Sequence, residues 1–120
     1  MRVTGSKSES VTILADITKI SGGTREITAV RNDNLVTVYC NFYGVNLAIN
    51  NNATTSFELG TLPTGWEPKV AVYQRAGYIN DSQLSNARMN INTSGVISVL
   101  FNVDISGSGK TFRTTLTYTL

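Results

Sequence analysis

The chain has no histidine, one cysteine, two prolines and one tryptophan in 120 residues. The missing histidine removes the commonest general base and metal ligand. Ser-His and Cys-His nucleophilic arrangements are excluded with it. A single cysteine, Cys40, permits neither an intrachain disulfide nor a Cys-rich zinc site. Charge is also scarce, at 15% of residues with a net charge of +2. No basic block exists, so the sequence gives no reason to expect nucleic-acid binding. No apolar run approaches the roughly 18 residues that span a bilayer. The expectation is no membrane insertion and no cofactor.

What fills the chain is polar and uncharged. Ser, Thr and Asn make up about a third of it, while 41% is hydrophobic. Disordered chains combine low hydrophobicity with high charge, and this composition has neither property. Length fits one domain with one core. Residues 1–10 read as a flexible N-terminal segment or a remnant of cloning, and residues 11–120 as a single β-sandwich domain.

The apolar period is two, which predicts strands. Val11, Ile13, Ala15 and Ile17 suggest a first strand, interrupted by Leu14 on its polar face. Ser21-Gly22-Gly23 reads as a turn. Ile27 and Ala29 share one face of the next strand. Asn32-Asp33-Asn34 has hairpin-turn chemistry, since Asn and Asp tolerate positive φ. Val36, Val38, Cys40 and Phe42 then point one way, and Thr37, Tyr39, Asn41 and Tyr43 the other. Cys40 reads as a small buried hydrophobe, because no cation adjoins it to lower its pKa.

Asn50-Asn51-Asn52 is a polar loop. Phe57, Leu59 and Leu62 lead into Thr64-Gly65, flanked by Pro63 and Pro68, with Trp66 as a loop anchor between them. Val70, Val72 and Gln74 suggest a strand, and so do Ala87, Met89 and Ile91. Thr93-Ser94-Gly95 turns the chain, and Ile97, Val99, Phe101, Val103 and Ile105 return. Ser106-Gly107-Ser108-Gly109 reads as the last turn. Phe112, Thr114, Leu116, Tyr118 and Leu120 then alternate with Arg113, Thr115, Thr117 and Thr119. The fold class expected is all-β: an antiparallel sandwich, jelly-roll-like, of about seven to eight strands. A Thr-rich final strand at a sheet edge favours an oligomer.

Four motifs bear on chemistry. Gly107-Ser108-Gly109-Lys110-Thr111 resembles the end of a phosphate loop, but Asp104 stands where the first glycine is needed and a strand follows. The eight carboxylates (Glu9, Asp16, Glu26, Asp33, Glu58, Glu67, Asp81 and Asp104) are scattered, which argues against a glycosidase pair. Asp33 with Asn32 and Asn34 reads as a turn before it reads as a calcium site. The Asn-x-Ser/Thr matches at Asn52, Asn80 and Asn92 are expected by chance in this composition.

The most suggestive stretch runs from Arg75 to Asn86. Sugar recognition needs a flat apolar face and planar amides or carboxylates for vicinal hydroxyls. Tyr78, Asn80, Asp81, Gln83 and Arg75 supply these types on a polar excursion, where binding residues concentrate. They are the candidate ligand-binding residues. A plain solvated connection, with Tyr78 folded onto the core, is the alternative.

Leu59-Gly60-Thr61-Leu62-Pro63-Thr64-Gly65-Trp66-Glu67-Pro68 resembles a phrase, LGTLPxGYRP, of phage tail proteins. A hairpin like 29–46 precedes it there, and a strand like 69–73 follows. Ile91-Asn92-Thr93-Ser94-Gly95-Val96-Ile97-Ser98-Val99 is similar to the I-x-x-x-G-x-I-x-V hairpin that comes next. The resemblance covers roughly 27–120, with Trp66 for the usual Tyr and Glu67 for the usual Arg. It is to baseplate, tail-fibre and receptor-binding proteins of siphophages that infect Gram-positive hosts. It implies a C-terminal β module at the tail tip, exposed to the host surface and with no enzymatic activity. Such modules are often homotrimers that bind host cell-wall saccharide; others dock neighbouring baseplate proteins. The family has no single set of ligand residues to carry over.

Overall fold

A computed structural model describes residues 6–10, 20–47, 56–75, 88–100 and 107–120. Nine strands lie among them: β1 (Ser6–Ser10), β2 (Ile20–Ser21), β3 (Thr24–Asn32), β4 (Leu35–Leu47), β5 (Ser56–Thr61), β6 (Val72–Arg75), β7 (Arg88–Ile91), β8 (Val96–Leu100) and β9 (Gly107–Thr119). Every pairing is antiparallel. Sheet A holds β1, β3, β4, β2 and β9; sheet B has the order β5-β8-β7-β6. Together they form the expected antiparallel β-sandwich.

The core lies between the two sheets, because alternation gives the strands that line it one apolar face. Sheet A contributes Ile27, Ala29, Val36, Val38, Cys40, Phe42 and Leu116, and sheet B contributes Leu59, Met89, Ile91, Ile97 and Val99; all are buried. Trp66 and Leu62 close one end and belong to the same cluster. The inward set expected for β4 is therefore the observed one.

Among the described residues, Cys40 and Tyr118 carry the buried ionisable groups. Burial pushes the Cys40 thiol up from 9.0 to about 12. Burial, and then the charge of Glu67, pushes Tyr118 from 10.0 to about 12. Both groups stay neutral in the folded state. Their contribution to stability is present below about pH 9 and is lost as pH rises towards 12. Iodoacetamide at pH 8 is therefore expected to label Cys40 only after denaturant is added. Rapid native-state labelling, read by mass spectrometry, would contradict a sealed core.

The chain departs from its sequence reading at four described places. Ser6–Ser10, read as loose, pair with Thr28–Asn32 of β3 as β1. A strand with no apolar alternation gives no periodic signal; the backbone ladder recruits it.

The second departure is at Ser21-Gly22-Gly23, which is not a turn between strands. Thr24 faces Tyr43 and Ser21 faces Asn46, so β2 continues the line of β3 in the same register. Gly22 and Gly23 interrupt that line with φ of 69° and 58°. Third, Val70 lies outside β6 and is 74% exposed, while Gln74 on that edge strand is also exposed. Fourth, Gly107–Gly109 belong to β9 rather than to a turn.

Those glycines fall where the β4–β9 register shifts, on either side of Val45. Two residues of β4, Tyr43 and Gly44, there oppose one residue of β9, as in a bulge. The bulge explains why Val45 is buried although Tyr43 is exposed. The bulge also brings the Gly44 N–H to the side chain of Thr111. The buried Thr111 hydroxyl accepts that N–H at 3.2 Å.

The remaining turns behave as read. Asp33 takes φ 58° in the β3–β4 hairpin. The amide oxygen of Asn92 accepts the N–H groups of Ser94 and Val96, each at 2.9 Å, and so shapes the β7–β8 turn. This structural use accounts for Asn92 without a glycan. The strand stretches read over 11–18 and 101–105, the loop at Asn50-Asn51-Asn52, and Ala87 lie outside the described residues.

Candidate functional site

Alternation that buries one face of sheet B must expose the other. Strand register then decides which exposed side chains become neighbours. Tyr73 of β6 faces Asn90 of β7, Asn90 faces Ser98 of β8, and Ser98 faces Glu58 of β5. The next row joins Arg75, Arg88, Leu100 and Ser56 in the same way. Tyr73, Arg88, Asn90, Ser98 and Leu100 line a shallow concavity on this outer face.

Tyr73 is 60% exposed. The Arg88 guanidinium lies over its ring, 5.9 Å from the centroid. At that distance the cation is attracted by the ring quadrupole. Beside it stand a planar amide and a hydroxyl. A flat ring, a guanidinium and a carboxamide on a rigid sheet can stack on one face of a ligand and hydrogen-bond its edge.

Of the residues singled out from sequence, Arg75 ends β6 and pairs with Arg88 at the start of β7. Arg88 lines the concavity, and Arg75 is its register partner. Tyr78, Asn80, Asp81 and Gln83 lie outside the described residues. Sequence reading missed Tyr73, Arg88, Asn90, Ser98 and Leu100, which come from three strands. Only the register brings them together; the visible signal was polar and aromatic residues at alternate positions of short strands.

Other candidates resolve into structure. Gly107–Thr111 lies within a strand, so no helix follows to complete a phosphate loop. Asp33 sits in its turn, and its carbonyl accepts the Arg31 Nε–H at 2.8 Å. Among the described residues, no group of three or more Cys, Asp or Glu is placed to hold a metal ion. Trp66 is buried, as an anchor should be, and its carbonyl accepts the Tyr118 hydroxyl.

Fold and site together define an antiparallel β-sandwich that presents a small aromatic and polar concavity on one outer face. Comparison with solved structures gives a full-length match to such a domain. The chain is similar to the crystal structure of the head domain of phage bIL170, considered among the receptor-binding domains of lactococcal phages. The match has a TM-score of 0.67 and 17% sequence identity, over 97% of this chain and 99% of that one. At that identity the likeness is one of fold. The chain matches no family model and no curated protein.

Proposed function

We propose that the chain is a phage receptor-binding domain that attaches the virion to the host surface, and that its receptor is a cell-wall saccharide. The observation that carries this reading is the end-to-end fold match to a phage head domain. The outer face of sheet B supports it, with an exposed tyrosine held beside an arginine and an asparagine. Binding is non-enzymatic and needs no cofactor. The ligand contacts are Tyr73, Arg88 and Asn90, together with Arg75, Tyr78, Asn80, Asp81 and Gln83 at and within the adjoining connection.

On this reading the domain sits on the tail, exposed to the host surface, beside other baseplate or tail proteins. A homotrimer would multiply the sites. Each site is weak, because a shallow surface excludes little water, and several copies supply avidity.

The test is staining of intact Gram-positive cells by the labelled domain, before and after extraction of wall polysaccharide. Strain-selective staining that disappears on extraction is expected. The double substitution Tyr73→Ala with Arg88→Ala is expected to weaken staining by about tenfold or more, near 1.4 kcal/mol per site. Absence of staining on every strain, with a folded domain, would refute the reading and favour docking onto another baseplate protein.

A further inference from the structure

The outer face of sheet A has a different make-up. On β4, Tyr39 and Tyr43 point outward and are 48% and 57% exposed. Between them lies Asn41, which faces Glu26 of β3 and Arg113 of β9. The Arg113 Nε–H donates to the Asn41 amide oxygen at 2.7 Å. The Asn41 amide nitrogen reaches Glu26 Oε1 at 3.5 Å. The Arg113 guanidinium also lies over the Tyr43 ring, 5.4 Å from its centroid. One polar row thus crosses three strands and is bracketed by two tyrosines. Thr28 and Thr115 flank Tyr39 in register, and Thr37 and Thr117 form the next row.

A fold needs none of this row to be aromatic. Rings this exposed contribute little to the core, and a plain Thr ladder would satisfy the sheet. The chemistry points to a ligand with apolar faces and hydroxyl edges. Glu26 and Arg113 share the same amide, so their charges balance across the row. The face offers fixed hydrogen-bond directions with little net field, which suits an uncharged ligand better than a polyanion. Four strand positions separate the two tyrosines, about 13 Å. That span exceeds one sugar ring and fits a chain of linked sugars.

We propose that this face is a second saccharide-binding surface, for an uncharged run of linked sugars. It rests on the saccharide reading above and extends it. The outer faces of the two sheets point away from each other, so one domain engages the receptor at two separate places. Two weak contacts on one polymer gain effective concentration and outlast either alone.

The experiment is amide chemical-shift mapping of the isotope-labelled chain. The probe is the pool of neutral oligosaccharides, separated by length, released from the wall polysaccharide of the strain panel. Saturable shifts over 37–43 and 113–117 are expected, titrating separately from those at 73 and 88–100 and strengthening with oligosaccharide length. Tyr39→Ala with Tyr43→Ala is expected to remove the first set, to leave the second, and to lower whole-cell affinity by about tenfold. Asn41→Asp, which upsets the charge balance at little cost in volume, is expected to weaken the first set selectively. Spectral dispersion reports folding of both variants.

Shifts confined to sheet B would overturn the second surface and leave the saccharide reading standing. No shift on either face, with staining that survives extraction of the wall polysaccharide, would overturn both. Self-association that is lost in the tyrosine variant, with no saccharide shift at sheet A, would assign the face to copies of this chain and overturn the inference.

Discussion

Trp66→Ala is expected to cost about 4 kcal/mol of stability and to lower Tm by roughly 15 °C. Trp66 belongs to no strand. It lies in the segment that links β5 to β6, yet its side chain is buried in the shared core. That segment is tied down along its length. The Leu62 N–H donates to the Gly95 carbonyl at 2.9 Å, and the Trp66 N–H to the Pro63 carbonyl at 3.1 Å. The Tyr118 hydroxyl donates to the Trp66 carbonyl, which links the segment to the end of β9. Arg31 reaches the Gly65 carbonyl at 3.4 Å from β3.

Removing the indole leaves a cavity between the sheets that this anchored backbone is poorly able to fill. Trp66 is the only tryptophan, so the measurement is thermal unfolding by circular dichroism rather than by fluorescence. Trp66→Phe, which keeps most of the apolar volume, is expected to recover more than half of the loss. A loss below about 1 kcal/mol for the alanine variant would place Trp66 outside the energetic core.

Gly23→Ala is expected to cost about 3 kcal/mol or more, from two sources. The residue has φ 58°, where a Cβ costs roughly 1–2 kcal/mol. A Cβ there would also collide with the Tyr43 carbonyl oxygen and stand 2.5 Å from that of Gly44. Those are backbone atoms, and β4 is held on both sides, so neither can retreat cheaply. Gly44→Ala is the matched control: its φ is 64°, and nothing lies within 4 Å of the added atom. It is expected to cost only the conformational term, about 1 kcal/mol. Equal losses for the two variants, measured by urea denaturation, would show that the close approach at Gly23 is unimportant.

The hairpin at Asp33 was legible because both signals there are local. Period-two alternation marks β3 and β4, and Asn-Asp-Asn supplies the positive φ. The same signals misled at Gly22-Gly23. Two glycines end a strand in a linear reading, whereas here they let one strand line continue past a close backbone approach. Gly107-Ser108-Gly109 misled for a related reason, since a bulge and a turn use the same residue types. β1 was invisible, because Ser6–Ser10 carry no apolar alternation and owe their place to pairing with β3.

The candidate site was legible only at its margin. Arg75 and its neighbours in 76–86 are visible in one dimension as a continuous polar stretch. Tyr73, Arg88, Asn90, Ser98 and Leu100 are separated by up to 27 positions, and their meeting depends on two strand registers, β6–β7 and β7–β8. The row Glu26–Asn41–Arg113 is more scattered still. Asn41 and Arg113 read as ordinary outward residues of alternating strands, and Glu26 as one of the scattered carboxylates.

Composition and period by themselves determined the chemistry this protein excludes, its all-β class, and the inward faces of β3, β4, β7 and β8. Those properties follow from residue type and from the fixed alternation of side chains along a strand. The tertiary structure decided which strands are neighbours and in what register, and hence which outward side chains share a row. Hydrogen-bonded ladders join segments that are distant in sequence, and a shift of one residue reverses every side chain. Surface chemistry assembled across strands is therefore fixed by pairing, and no single segment encodes it.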